Sequence, residues 1–569
     1  MEWTKVFGKI KEKHWLGFVV IIAAILRLWQ LDRVPASMFG DELDVGYQAF
    51  SILKTGRDYY GNFMPLHFHS LAEWRTPLYL YTTVPFVAIF GISPWGVRLP
   101  AALFGIFSII AMFYLVREIS KNGKLALWTS FVMAISPWHI QYSRAGFEVT
   151  QLLFFLILGI YLFFKALGRP NLLWVSVVSL LLAPWTYSTA KVFVPLLMLF
   201  LFVLYYKDIF KMPKKSILVA LLAAVVVGGP MAWDVLFGGG AQRFGYIGVF
   251  SNPVTEHEVG VGRLNDAKMR GEKGIGISPK FVDRVMHNKY NFWLENIVSN
   301  YLQAFSTDFL FVRGDPNLRH SIKGTGQMYR IEIVALLIGL VYFFGRKERK
   351  KLKYLIGLWI LVGVIPAAMT RDGGNHASRL IIILPPLMLL TAYGMLQMRF
   401  KMLGIYLGLL LINFIIYSHG FWIHNPWNSE RWWHSGFGEA INEIKKVEGQ
   451  YERVVISTAS EPPWIFFAGW YEYDPGKWQR EFPIGRDVDL PGFGRVSHID
   501  KFYFGSPGVG LYEMGGRIDS KTLYLASEKE VNVNLIAEPE RLPNDLVLIK
   551  SFAYPSGEPV LYLFTGKNK

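Results

Sequence analysis

Hydrophobic residues in this chain come in long blocks separated by short polar stretches. Apolar runs cover residues 15–32, 98–117, 125–141, 150–167, 171–189, 191–206, 216–236, 329–345, 353–370, 379–397 and 402–419. Each approaches the roughly 20 residues a helix needs to cross a bilayer, which predicts a polytopic α-helical membrane protein of about 11 transmembrane helices. A further apolar stretch, Pro77 to Ile92, is short and interrupted by Pro85 and Gly91. If it crossed, every later basic cluster would change sides, so it is expected to be re-entrant or interfacial. Orientation follows from the clusters themselves. Lys5, Lys9, Lys11 and Lys13, then Lys121–Lys124, Arg169, Lys207–Lys215, Arg346–Lys353 and Arg399–Lys401 fall on one side. Positive loops mark the cytoplasmic face, which places the N-terminus inside a multi-pass plasma-membrane protein. The first apolar run lacks a small-residue cleavage site and is expected to be retained.

The opposite face then receives an outer loop over 33–97, a short loop near 139–149, a long loop over 237–328, the turn 370–378 and a tail. In the tail the pattern changes. GFGEAINEIKKVEG has the spacing of an amphipathic helix. RVVIST, KFYFG, TLYLAS and DLVLIK read as short strands, and SFAYPSGEPVLYLFT as two strands about a turn at Pro555-Ser556-Gly557. The expected division is a transmembrane domain over 1–420 and an extracytoplasmic α/β domain over 421–569.

Composition narrows the chemistry. Charged residues make up 18% of the chain, below the roughly 25% of soluble domains. The absence of cysteine excludes disulfides, Cys-ligated metals and a thiol nucleophile. The net charge of +16 would suggest nucleic acid in a soluble protein. Here much of the excess lies in the short loops, so topology explains it and no nucleic-acid partner is expected.

Ionisable residues gather on the outer face. Asp41 and Glu42 follow the first apolar run, and Arg144 and Glu148 lie in SPWHIQYSRAGFEVTQ. Lys191 ends WTYSTAK, Arg319 and His320 lie in GDPNLRHSIKGTGQMY, and His376 and Arg379 flank the turn before the tenth helix. Transporters place such groups near the midplane. A site at the face suits a lipid with a reactive head group. Group transfer from a lipid phosphate needs a carboxylate base for the acceptor hydroxyl and cations for the leaving phosphate. It also needs an apolar groove for the lipid tail. Aromatic faces such as Trp74, Trp95 and Trp138 would suit a sugar ring.

Each assignment has a plainer alternative. Asp41-Glu42 follow Gly40 and could cap a helix. Arg144 and Glu148, four apart, could form a surface ion pair. Lys191 and Arg379 could snorkel from helix ends, and Arg319-His320 could brace their loop. His67, His69 and His139 have no metal-ligand spacing and point to structural or acceptor-side roles.

The chain resembles the dolichyl-phosphate-mannose protein mannosyltransferases, glycosyltransferase family 39, and is similar to the aminoarabinose transferases of lipid A, both of the GT-C class. The resemblance rests on GDELDVGYQAFSILKTG, RTPLYLYTTVPFVAIFGISPWGVRLPAALFG, AISPWHIQYSRAGFEVTQLLFFLILGIYLF, SRLIIILPPLMLLTAYG and GDPNLRHSIKGTGQMY, over roughly residues 10–420. It implies a GT-C fold and a catalytic acid at Asp41, with Glu42 beside it. It also implies cations near the donor phosphate at Lys191, Arg379 and Arg144. An acidic residue is implied at Glu148, where the family commonly has Asp. The expected activity is inverting transfer of one sugar, hexosyl or pentosyl, from a polyprenyl-phosphate-linked donor to a hydroxyl of a protein, lipid or cell-envelope glycan. The Arg319-His320 loop would close over the site, with Glu148 and His376 on the acceptor side. No cofactor and no obligatory metal are expected, since cations can neutralise a monophosphate. A transporter or flippase of lipid-linked sugars, without transfer chemistry, is the alternative.

Overall fold

The computed structural model describes residues 12–70, 73–273, 278–481 and 487–567. The basic residues Lys5, Lys9 and Lys11 lie outside them. All eleven long apolar runs are helical. The first part of the chain forms α1 (Glu12–Leu28), α2 (Gly40–Thr55), the strands β1 (Phe68–Ser70) and β2 (Glu73–Arg75), α3 (Pro77–Phe90), α4 (Pro94–Ser120), α5 (Gly123–Ile135) and α6 (Pro137–Tyr142). Then come α7 (Val149–Ala166), α8 (Leu173–Thr186), α9 (Ala190–Phe210) and α10 (Lys214–Phe237). The long loop carries α11 (Gln242–Ile247), α12 (Thr255–Met269), α13 (Phe281–Met286) and α14 (Lys289–Gln303). The bundle closes with α15 (Glu332–Gly345), α16 (Lys350–Gly363), α17 (Ile365–Ala368), α18 (Ala377–Leu380), α19 (Leu384–Gln397) and α20 (Phe400–His419). Among the described residues, seven helical segments are long and apolar enough to cross a membrane, and four shorter apolar ones accompany them.

Local chemistry sets the boundaries near the site. Proline, which lacks an N–H, opens α3, α4 and α6, where a helix has no use for that donor. Ser93 caps α4 by accepting the Gly96 N–H. Gly56 ends α2 in the left-handed region at φ 70°, which glycine enters without steric cost.

The bundle has two ends. At one, the basic loops meet: Arg349 donates to the Ser120 carbonyl at 3.0 Å, Lys165 pairs with Glu118 at 2.9 Å and Lys351 with Asp208 at 2.9 Å. At the other end lie α2, α3 and the C-terminal unit. The α3 helix, at 1.5 Å per residue, is about 21 Å long, short of the roughly 30 Å hydrocarbon thickness. Before its start Arg75 reaches Asp41 on α2, and beyond its end the Ile92 N–H donates to Glu472 at 3.2 Å. Its start thus contacts α2 and its end the C-terminal unit.

In the C-terminal unit, α22 (Phe437–Val447) follows the short α21 (Asn425–Asn428) and leads to β3 (Arg453–Ile456). Next come α23 (Trp464–Tyr471), α24 (Pro475–Glu481), β4 (Val488–Leu490), β5 (Gly494–Ile499), β6 (Phe502–Phe504), β7 (Thr522–Ser527), β8 (Leu546–Ala553) and β9 (Pro559–Gly566). The strands make one seven-stranded mixed sheet in the order β4-β5-β6-β3-β7-β9-β8, with β3 parallel to both neighbours. DLVLIK and SFAY, expected as separate strands, are one strand, because an irregular register near Leu548 and Lys550 carries the chain on without a turn.

A single hydrophobic cluster spans the chain's two regions. Met38, Leu43, Tyr47, Tyr79 and Val97 are buried with Ile441, Phe467, Trp478, Phe502 and Leu563. Polar contacts fix the register. Tyr47 donates to the Tyr473 carbonyl at 3.0 Å, and Gln479 Nε2 reaches Ser51 Oγ at 3.0 Å, Thr55 Oγ1 at 2.8 Å and the Asp58 carbonyl at 2.9 Å. The helix that begins with the acidic pair is thus held between α3 and α4 below and the C-terminal unit above.

Candidate active site

The cap of α2 is Phe39, which offers no side-chain cap, so Asp41 and Glu42 lie within the first turn. Unpaired N–H groups and the helix dipole favour negative charge there. The three carboxylates of GDELD then diverge. Glu42 is wholly buried and grips Arg98 with both oxygens, at 2.8 Å each, while Oε1 also accepts the Gly146 N–H at 2.7 Å. Arg98 spends its remaining donors on the carbonyls of Leu31, Pro35 and Ser37. Glu42 therefore ties the first outer loop to α4 and cannot reach a substrate, which corrects its expected share in the chemistry. Asp44 is also fully buried, held by Tyr59 at 2.8 Å and Ser70 at 2.7 Å, and burial pushes its carboxyl up to about 6.

Asp41 is the open one. Its side chain is 40% exposed, against 0% for Glu42 and Asp44. It meets Arg75 at 2.8 Å, and Arg75 lies 3.4 Å from Asp44 one turn on. Surrounding protein raises the Asp41 carboxyl, but Arg75, Arg319 and Arg243 outweigh that and hold it below the ordinary carboxylate range. Asp41 is ionised at neutral pH and reaches solvent.

A cavity of about 190 Å³ is lined by Tyr187, Thr189, Lys191, Arg243, Thr370 and Arg379 among others, and one of these, Arg243, acts on the Asp41 charge. Lys191 and Arg379, far apart in sequence, meet in it. Lys191 donates to the Gly240 carbonyl at 2.8 Å and to His67 Nε2 at 3.0 Å. That fixes the His67 proton on Nδ1, which stands 2.8 Å from Asp234. Arg379 is buried, donating to Thr370 Oγ1 at 2.8 Å and to Asp372. Arg243 lies over the Tyr187 ring at 5.7 Å. Thr189 Oγ1 is buried and has no hydrogen-bond partner among the described residues. Three cations and a spare hydroxyl suit an anionic oxygen cluster such as phosphate.

The loop containing Arg319 and His320 comes near Asp41, whose charge Arg319 affects, but neither residue lines the cavity. The Arg319 guanidinium stacks over Phe39 at 4.8 Å and Trp432 at 5.7 Å, adding positive potential at Asp41. His320 Nδ1 meets the Tyr142 hydroxyl at 2.9 Å, and its ring lies 5.0 Å from that of His376. Burial depresses His320 to about 3, and burial with Arg379 keeps His376 well below the ordinary histidine value.

Other expectations fall elsewhere. Arg144 is fully buried and donates to the carbonyls of Leu26 (3.0 Å), Gln30 (3.0 Å) and Val34 (2.9 Å). It satisfies the end of α1, as a cation at a helix C-terminus does, and does not line the cavity with Lys191 and Arg379, where it had been expected. Glu148 is buried at the start of α7. His139 is a buried bracing residue, 2.7 Å from Arg27 and 2.9 Å from Ser108. Trp138 is completely buried, donating to the Ala377 carbonyl at 3.1 Å, so it offers no face to a sugar. Two residues of the site had not been singled out. Arg75 had a signal, its place just before the proline that opens α3. Arg243 had none, since it lies in a loop without periodicity. The absence of a metal was also expected, yet Asp315, His320 and His376 each bring one ligand atom within 4.8 Å of the others.

Residues 74–233 match the family described as dolichyl-phosphate-mannose-protein mannosyltransferase, so the resemblance seen in the sequence holds over that segment. The chain is 39% identical over 87 residues to a Bacillus subtilis (strain 168) protein named "Putative mannosyltransferase YkcB", covering 15% of this chain and 12% of the relative. It is 26% identical over 179 residues to "Putative mannosyltransferase YycA" of the same organism, 31% of this chain and 25% of the relative. The chain thus spans a quarter or less of the curated relatives it matches. Among solved structures, ArnT from Cupriavidus metallidurans aligns with a TM-score of 0.42 at 10% identity, over 97% of this chain and 98% of that one.

Proposed function

We propose that this chain, a relative of the dolichyl-phosphate-mannose-protein mannosyltransferases over residues 74–233, is a membrane glycosyltransferase. It moves one sugar from a polyprenyl-phosphate-linked donor to an acceptor hydroxyl on the extracytoplasmic side, with the N-terminus in the cytoplasm. The carrying observation is that one of three neighbouring carboxylates, Asp41, stays open to solvent and is electrostatically linked through Arg243 to a cavity that gathers Lys191, Arg243 and Arg379.

In this reading the donor phosphate occupies the cavity, where the three cations offset the charge that grows as the glycosidic bond breaks. Asp41 accepts the acceptor's proton as its oxygen attacks the anomeric carbon from the opposite side, and the configuration inverts. Arg75 holds the Asp41 carboxylate in place. The Arg319 loop and Trp432 border the acceptor's approach. The acceptor is a protein, a lipid or a cell-envelope glycan, and the sugar is a hexose or a pentose.

The test is release of polyprenyl phosphate by purified protein, given labelled polyprenyl-phosphate sugars and envelope extract. Asp41→Asn is expected to lower release by roughly 100-fold or more, the usual scale for a lost base. Undiminished release would remove Asp41 from the mechanism. Movement of label across a bilayer without release would favour a flippase.

A further inference from the structure

We propose that Asp315, His320 and His376 form a binding site for one divalent transition-metal ion of the zinc class, which fastens the loop 313–329 to the turn 370–378. One ligand atom from each residue lies within 4.8 Å of the others. Among the described residues no hydrogen bond or ion pair joins these three side chains to one another, so direct pairing does not account for their convergence.

Each group instead has one hydrogen-bonded side and a donor atom to spare. The Tyr142 hydroxyl meets Nδ1 of His320 at 2.9 Å and the Ser378 hydroxyl meets Nδ1 of His376 at 3.0 Å. The Nε2 atom of each ring makes no hydrogen bond among the described residues. Asp315 accepts the Ala377 N–H at 2.8 Å and the Asn317 N–H at 2.9 Å, and each oxygen keeps a lone pair. Metal-binding histidines are oriented in this way, through the nitrogen that does not bind the ion. Two imidazoles and a carboxylate are a common zinc donor set, and three protein ligands leave a position for water or a substrate oxygen.

The ion would not be needed to neutralise a leaving phosphate, since Lys191, Arg243 and Arg379 are gathered for that. Its place is structural and local. Asp315 and His320 come from the long loop and His376 from the turn before α18, so one ion would fix both. It would also fix Arg319, next in sequence to His320, where its charge acts on Asp41. The inference does not depend on transfer chemistry, because metal content and turnover are read separately.

Full-length protein, purified without a histidine tag, would be equilibrated with zinc and desalted, and its metal measured by mass spectrometry. About one zinc per chain is expected in the wild type. The double variant His320→Gln/His376→Gln is expected to retain none, and Asp315→Asn to bind roughly 10–100-fold more weakly. His257→Gln, an exposed histidine far from the cluster in sequence, should match the wild type. Cobalt added to the wild type should give visible absorption typical of low-coordinate imidazole-bound ion, a readout that stands even if the double variant fails to fold. Wild-type protein that gains no cobalt spectrum and retains no more zinc than the double variant would overturn the proposal.

Discussion

At the residue scale, the acidic motif after the first helix separates into three jobs. Neighbours in sequence face different partners because each helical step turns the side chain by about 100°. Asp41 and Asp44, one turn apart, share Arg75, while Glu42 turns inward to Arg98. Composition and spacing exposed the motif but not this division, since a carboxylate's role depends on which arginine reaches it from elsewhere. Arg98 and Arg75 come from segments over 30 residues away. Glu42→Gln is expected to destabilise the protein by about 3–5 kcal/mol, because Arg98 would keep a buried charge without its partner. The check is thermal unfolding in detergent. Glu42→Gln should lower the transition well below that of Asp41→Asn, whose site is partly open. The double change Glu42→Gln/Arg98→Met should recover part of the loss.

At the scale of elements, hydrophobic blocks were a sound guide to helices and a poor one to how they meet. All eleven runs are helices, and the short Pro77 to Ile92 segment is a helix over Pro77–Phe90. The crossing of α15 and α19 was not legible. It depends on Gly339 and Gly394, where an added Cβ would run into the carbonyl oxygens of Leu390 and Ala335 respectively. Small residues let two membrane helices approach at backbone distance, but isolated glycines in apolar runs carry no address. Gly394→Leu is expected to force the two helices apart, at a cost of about 1–3 kcal/mol or more. Because α19 follows directly from the turn with His376 and Arg379, donor affinity should fall with stability. A binding titration with polyprenyl phosphate, beside a melting curve, would separate this from a change confined to the bundle.

At the scale of the molecule, the C-terminal unit is part of the site's support. The first of its helices, α22, and most of its strands were legible from periodicity, but α23 and α24 were not. Its contact with α2 was not, because Leu43, Tyr47 and Gln479 are ordinary residues until the fold joins them. Gly469 packs against Leu43, and a Cβ there would stand 2.9 Å from a Leu43 methyl. Gly469→Leu is therefore expected to lift the unit from α2, lowering both unfolding temperature and turnover while leaving membrane insertion intact. Membrane fractionation with an activity assay checks this. Unchanged turnover would show that α2 needs no support from above.

The shared core between residues 38–101 and 437–563 also sets an order of events during synthesis. A ribosome delivers the acidic helix first, but the partners of its Leu43 and Tyr47 in residues 437–563 emerge only several hundred residues later. Contacts so distant in sequence form late. The proposed base is thus made long before its helix is steadied. A chain without residues 437–563 would display Asp41 on a helix with one face uncovered, and competence for transfer would arrive only once those residues are in place.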